Sequence, residues 1–377
     1  MIPRTLRSRS AAWILLLTLG LSACSTGRGP SLVAAVDGPG TPSHTRGALT
    51  SFAQARAGDE LNVLVLSGGG QNGAFSAGAL KGWRDAGRPR FDVVTGISAG
   101  GLLATFAFLG TPADDARVEA ISTDLEKSDV LCMRSPLALP FAASLADFAP
   151  MRRFLEREID DATVARVAAA SEGGRRLLLV GTTNLDTGRM AVWDMGALAR
   201  AGNAPLYRAV LLASASPPVL APPVLLGGVP HSDGSLIGNV FVPDAETHLD
   251  AASRERYLAV VRERKGTDRG FVTLHVLYAG LWKVQPTCTE MGVVPVATRA
   301  FDLLLSSSGH GSLWYAYGLA QRRGQTFRML SIPERLHPIA KDPIAFDRAS
   351  LRALFDAGVA AGRDPSAWRP APPTLGD

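Results

Sequence analysis

"LNVLVLSGGGQNGAFSAG", residues 61–78, decides how this chain folds. Within it "NVLVLS" (62–67) reads as a buried strand. It enters a knot of glycines, Gly68-Gly69-Gly70, and then small residues with Leu80 and Trp83 at helical spacing through residue 87. Backbone N–H groups exposed at a strand–glycine–helix turn form a cradle for an anion. That anion is either the pyrophosphate of a bound cofactor or an oxyanion that exists only during a reaction.

Gly68, Gly70 and Gly73 satisfy G-x-G-x-x-G, the dinucleotide-binding pattern. A dinucleotide site needs an acid at the C-terminal end of the next strand, to hold a ribose. The next strand is "FDVVTG" (91–96), and its acid, Asp92, stands at the wrong end. At the right end stands Gly96-Ile97-Ser98-Ala99-Gly100, a G-x-S-x-G nucleophile elbow. A serine on so sharp a strand-to-helix turn is held in a strained conformation, and its neighbours must be small. Gly96, Ala99, Gly100 and Gly101 are. Ser98 then caps an apolar helix running to Leu109, whose positive end favours negative charge on the serine oxygen. With both turns at the C-terminal edge of adjacent parallel strands, the N–H groups of Gly69 and Gly70 can face a carbonyl attacked by Ser98. The cradle therefore reads as an oxyanion hole, whose donors contribute about 3 kcal/mol each to transition-state stabilisation.

The serine needs a base. The six histidines are His44, His231, His248, His275, His310 and His337, and none sits in an acid-paired motif. The stronger candidate is Asp233 in "HSDGSLIGNVFVPDA" (231–245), which follows a proline-rich approach. His231, two residues before it on an extended segment, would face the same side.

These landmarks together resemble the patatin-like phospholipases. The match rests on Gly68-Gly69-Gly70 with Gly73, on Ser98 in G-x-S-x-G and on Asp233 in Asp-Gly-x. "TTNLDTG" (182–188), "ASASPP" (213–218) and "GNVFVPDA" (238–245) fit as well, so the resemblance spans roughly residues 60–245. It implies a three-layer α/β/α fold with a mostly parallel central sheet. It also implies a Ser98–Asp233 dyad without catalytic histidine, an oxyanion hole of Gly68, Gly69, Gly70 and Gly73, and hydrolysis of lipid acyl esters without cofactor or metal. Two positions depart from the family pattern. Asn72 stands where Arg or Lys is usual, which weakens the case for contact with an anionic headgroup there. Ser235 replaces the second glycine of Asp-Gly-Gly. An aspartate near its ordinary pKa predicts activity well below the pH at which a histidine base protonates. The Asn72 change keeps open a non-catalytic protein of this fold that binds lipid or a partner protein.

Working outward, "RLLLVGTTNL" (176–185) and "RMAVWDM" (189–195) read as a hairpin turning at Asp186-Thr187-Gly188. "FVTLHVLYAG" (271–280) reads as a further strand, and 205–216, 296–324 and 347–361 as helices. Strands alternating with helices imply a parallel sheet covered on both faces. Residues 128–154 are apolar but broken by Pro136, Pro140 and Pro150, which suits either a core-packing connection or a mobile cover.

The N-terminus carries Arg4, Arg7 and Arg9 and then "AAWILLLTLGLSA", a signal-peptide pattern over residues 1–23. Leu21-Ser22-Ala23-Cys24 resembles a bacterial lipobox, which implies lipidation of Cys24 and anchoring in the cell envelope. Ser25 after the cysteine points to the outer membrane, facing the periplasm. Residues 24–59, rich in Gly, Pro, Ser and Thr, read as a tether; 60–365 as the acylhydrolase domain; 366–377 as a tail. A hydrophobic content of 46% suits a large core. The net charge of +5 owes much to those three arginines, so it makes no case for nucleic acid. The implied partners are a lipid or phospholipid substrate and the anchoring membrane. Cys132 and Cys288 either pair in an oxidising compartment or stand as lone buried thiols.

Overall fold

A computed structural model describes residues 37–56, 59–135, 137–138, 142–243, 255, 259, 262–263, 272–284 and 286–374. The signal-peptide pattern and Cys24 lie outside the described residues.

The chain builds an 8-stranded sheet. Its strands are β1 (Leu61–Leu66), β2 (Val93–Ile97), β3 (Leu177–Asn184), β4 (Arg189–Asp194), β5 (Val224–Leu226), β6 (Val229–Asp233), β7 (Val272–Tyr278) and β8 (Thr326–Ser331). The order is β8-β7-β1-β2-β3-β6-β5, with β4 also paired to β3. From β8 to β3 all pairings are parallel. β4 and the β5–β6 hairpin add antiparallel pairs at the other end. The hairpin expected around residues 186–188 is β3–β4, with Asn184 paired to Arg189.

Alternate residues of β1 feed two cores. Leu64 and Leu66 join a cluster on one face, and Val63 and Val65 join another. With both faces covered, the strand reads as a continuous apolar run. The first face is covered by α2 (Gly73–Asp85), α3 (Ala99–Leu109), α8 (Ala204–Ser214) and α10 (Arg348–Arg363). Between α3 and α8 come α4 (Pro112–Asp124), α5 (Ala149–Glu158), α6 (Asp161–Ala170) and α7 (Met195–Arg200). The second face is covered by α1 (Pro42–Ala55) and the C-terminal part of α9 (Val293–Arg322). This is the mixed α/β architecture with a central, mostly parallel sheet that the sequence predicts.

α2 and α10 nearly touch. A Cβ on Gly78 would stand 2.0 Å from the Phe355 carbonyl oxygen, and one on Gly358 2.1 Å from that of Phe75. Gly82 and Gly362 repeat the contact one turn on, so two glycines four apart on each helix set the approach.

The structure corrects the expected ends of the domain. Within the stretch expected to be a tether, α1 buries Leu49, Phe52 and Ala53. Within the expected tail, Trp368 lies 4.5 Å from the Trp83 ring, and Arg369 exchanges backbone hydrogen bonds with Met329 on β8. Pro42–Ala55 and Trp368–Arg369 are therefore parts of the packed unit. Of the apolar 128–154 stretch, Val130, Leu131, Ala146, Phe148, Met151 and Phe154 are buried, while Met133, Leu137 and Leu145 are exposed. Cys132 and Cys288 are unpaired and exposed, neither bridged nor buried.

Candidate active site

Ser98 stands between β2 and α3 with φ 54° and ψ −126°. A positive φ at a residue with a Cβ costs free energy and persists only where surroundings impose it. Backbone packing imposes it here. A Cβ on Gly96 would meet the Gly100 carbonyl oxygen at 2.4 Å, and one on Gly100 would meet that of Leu66 at 2.4 Å. From behind, the Ser98 N–H donates to Ser214 Oγ at 3.0 Å, and Ser214 Oγ–H donates to the Gly181 carbonyl at 2.8 Å.

Asp233 ends β6 and is 2% exposed. Its backbone N–H donates to the Ser216 carbonyl at 2.9 Å, and its carbonyl accepts from Thr183 Oγ1 at 2.8 Å. Ser232 Oγ–H also donates to the Ser216 carbonyl, at 2.7 Å. The "TTNL" and "ASASPP" stretches thus hold the aspartate's backbone in place. Its carboxylate accepts from the Ser235 N–H at 2.9 Å. Burial pushes the carboxyl up to about 6, against the opposing pull of the Ser235 backbone, the Ser98 hydroxyl and the Ser235 side chain. The expected low-pH activity rests on an ordinary aspartate pKa, and burial moves this carboxyl toward the range of an ordinary histidine.

The glycine turn lies against the elbow. A Cβ on Gly68 would come within 2.9 Å of Ser98 Cβ and 2.7 Å of Asn239 Oδ1. The Gln71 N–H donates to the Pro343 carbonyl at 2.8 Å and the Asn72 N–H to that of Gly69 at 3.0 Å. Among the described residues, the N–H groups of Gly69 and Gly70 have no acceptor. Gly70, with φ 56°, has its Cα against Pro343: an added Cβ would lie 2.1 Å from that carbonyl oxygen. Gly73 differs from its expected part. Its N–H is taken up by the turn, donating to Gly70 and Gln71 carbonyls, and a Cβ there would approach Ala99 Cβ at 3.0 Å. It supplies room between the starts of α2 and α3, not a donor.

Asn72 is 3% exposed and donates from Nδ2 to the Ala340 carbonyl at 2.9 Å. Gln71 Nε2 donates to the Asp342 carbonyl at 2.8 Å. Asn72 and Gln71 thus tie the glycine turn to residues 339–343.

His231 does not join the serine. It is 4% exposed, its Nδ1 lies 2.9 Å from Thr182 Oγ1, and its ring meets Trp193 edge-on. Burial lowers its pKa to about 4.

Two cavities meet at Ser98. One is a slot of about 120 Å³ lined by apolar side chains of α3, α4 and α5 and the segments between them. The other is a wider, more polar groove of about 790 Å³, lined by Asp233, Asn239, Tyr278 and the inner face of α9. Pro217 and Ile344 border both, as do Gly70 and Ser98. Two site residues escape the sequence reading as such: Ser214, which carries the elbow, and Asn239, whose Nδ2 donates to the Gly68 carbonyl at 3.4 Å. Both lie in stretches already noted for family likeness, but their roles depend on contacts across more than a hundred residues.

No curated protein matches the chain. It is similar to the crystal structure of VipD from Legionella pneumophila, at 12% sequence identity and a TM-score of 0.37, over 79% of this chain and 67% of that one. Residues 64–246 match the family described as Patatin-like phospholipase. They span both turns, the elbow and Asp233, so this part of the chain is a patatin-like phospholipase domain, of a family of lipid acyl hydrolases.

Proposed function

We propose that the protein is a serine hydrolase that cleaves fatty-acyl esters of lipids through a Ser98–Asp233 dyad. The observation that carries this reading is the position of Ser98. It is a strained serine at the junction of an apolar slot and a polar groove, beside a buried carboxylate and free backbone N–H groups. An ester has the matching polarity, with an alkyl chain on one side of its carbonyl and an alcohol on the other.

Ser98 Oγ attacks the carbonyl carbon while Asp233 takes its proton. The raised pKa of a buried carboxylate makes it a better base than an exposed one. The N–H groups of Gly69 and Gly70, with the positive end of α3, stabilise the oxyanion. Collapse of the intermediate passes the proton to the leaving alcohol, which departs through the groove. The acyl group stays on Ser98 with its chain in the slot until water, deprotonated by Asp233, releases the fatty acid. No step uses a histidine. In this reading Cys24 adds a lipid anchor that holds the enzyme at a membrane surface of the cell envelope.

The test is release of fatty acid from a panel of phospholipid and monoester substrates. Ser98→Ala and Asp233→Ala should each lower the rate by roughly a thousandfold or more. Hydrolysis undiminished in either variant would contradict the dyad.

A further inference from the structure

We propose that the slot is a ruler for the acyl chain, closed at its far end by Phe106 and an Arg117–Glu158 ion pair, and that the enzyme prefers medium-length chains. This rests on the hydrolase reading above and adds to it a substrate limit.

Ala99, Leu102, Leu103 and Phe106 line the slot, at the spacing of one helix face starting from Ser98. The slot therefore runs along α3. The next positions on that face, Leu109 and Gly110, do not line it. The usable length is the eight residues from Ser98 to Phe106, about 12 Å at the helical rise of about 1.5 Å per residue. An extended alkyl chain, with C–C bonds of about 1.5 Å, advances roughly 1.25 Å per carbon, so roughly ten carbons fit.

The end is closed by charged groups. Glu158 lines the slot, and its carboxylate is held by Arg117 at 3.3 Å and Arg157 at 2.7 Å. The Arg117 guanidinium lies 5.9 Å from the centroid of the Phe106 ring, which places the pair at the Phe106 end. An alkyl chain longer than the slot must either displace the ring or press against a paired carboxylate. Both are unfavourable, because the pair loses its partners or its water.

The test is kcat/KM of the full-length protein for p-nitrophenyl esters from butyryl to palmitoyl. Wild type should peak at octanoyl or decanoyl and fall by roughly tenfold or more at palmitoyl. Phe106→Ala should move the peak to longer chains. That substitution empties a buried site, so Leu102→Phe serves as the second variant. Leu102 is only half-buried and lies one turn from Ser98, and the larger ring there should move the peak to butyryl or hexanoyl. Ser98-dependent hydrolysis with a profile flat or rising to palmitoyl would overturn the ruler and leave the hydrolase standing. So would an unmoved peak in Leu102→Phe. Absence of Ser98-dependent hydrolysis for every ester would remove both.

Discussion

Replacing Asp233 by Asn should abolish activity and yet make the protein more stable at alkaline pH. The carboxyl is 2% exposed, and its pKa is pushed up to about 6 by burial, from an ordinary value near 3.8. A shift of about two units corresponds to about 3 kcal/mol. The sign follows from proton uptake. Between about pH 4 and pH 6 the folded protein holds a proton on Asp233 that the unfolded chain has lost. The folded state therefore loses about 1.4 kcal/mol per pH unit across that window, and the full penalty applies above it. The amide introduced by Asp233→Asn never ionises, and its oxygen can still accept from the Ser235 N–H, as the carboxylate does at 2.9 Å. Seating the amide carries some cost of its own, but that cost is the same at every pH. The predicted quantity is the change in the stability gap between variant and wild type, measured by urea unfolding at pH 4 and pH 8. The gap should shift in favour of the variant by about 3 kcal/mol, roughly 5–10 °C in Tm for a domain of this size. A gap unchanged with pH, or one that moves toward wild type as the pH rises, would refute the claim that a desolvated carboxylate is stored at this site.

The same carboxyl governs rate. The kcat/KM for a neutral ester should rise through an apparent pKa of about 6 as Asp233 ionises, and a profile flat from pH 4.5 to 8 would exclude Asp233 as the base. Ser98→Gly should unfold at higher denaturant than Ser98→Ala, by about 1 kcal/mol or more, because only glycine relieves the φ of 54°; equal midpoints would mean that the elbow stores no strain. Gly100→Ala, whose Cβ would stand 2.4 Å and 2.5 Å from the Leu66 and Ser67 carbonyl oxygens, should cost several kcal/mol of stability and roughly a hundredfold in rate, read by urea unfolding and ester hydrolysis. Gly358→Leu, driven into α2 at the Phe75 carbonyl, should lower Tm without a new optimum in substrate or pH, as expected of a residue that only packs.

The parts legible in the sequence are the local ones. A strand, a glycine turn and a small-residue helix lie within residues 61–85, and the elbow within residues 93–109, so each announces itself through contiguous pattern. Asp233 is legible through its neighbours, since Gly234 follows and a proline-rich stretch precedes it. The slot is not legible, because α3, α4 and α5 each contribute one face and no single segment reads as a pocket. α1 hides among Gly, Pro, Ser and Thr, although Pro42 after Thr41 marks a helix start and Leu49, Phe52 and Ala53 lie at helical spacing. α4 carries an equally plain local signal: Thr111 and Asp114 form a reciprocal capping box with Pro112 at the first turn. The expected acid tolerance turns on something the sequence does not carry. Sequence supplies the aspartate's ordinary pKa, and only the fold supplies the burial that moves it.

The account rests on Ser98 as the nucleophile, and an active-site fluorophosphonate tests that most directly. Full-length protein incubated with the probe and digested for mass spectrometry should carry one phosphonyl group, on the peptide containing Ser98. Labelling should vanish in Ser98→Ala and slow markedly in Asp233→Asn. A wild-type protein left unlabelled while a control serine hydrolase reacts in the same tube, or labelled at another residue, would contradict the account.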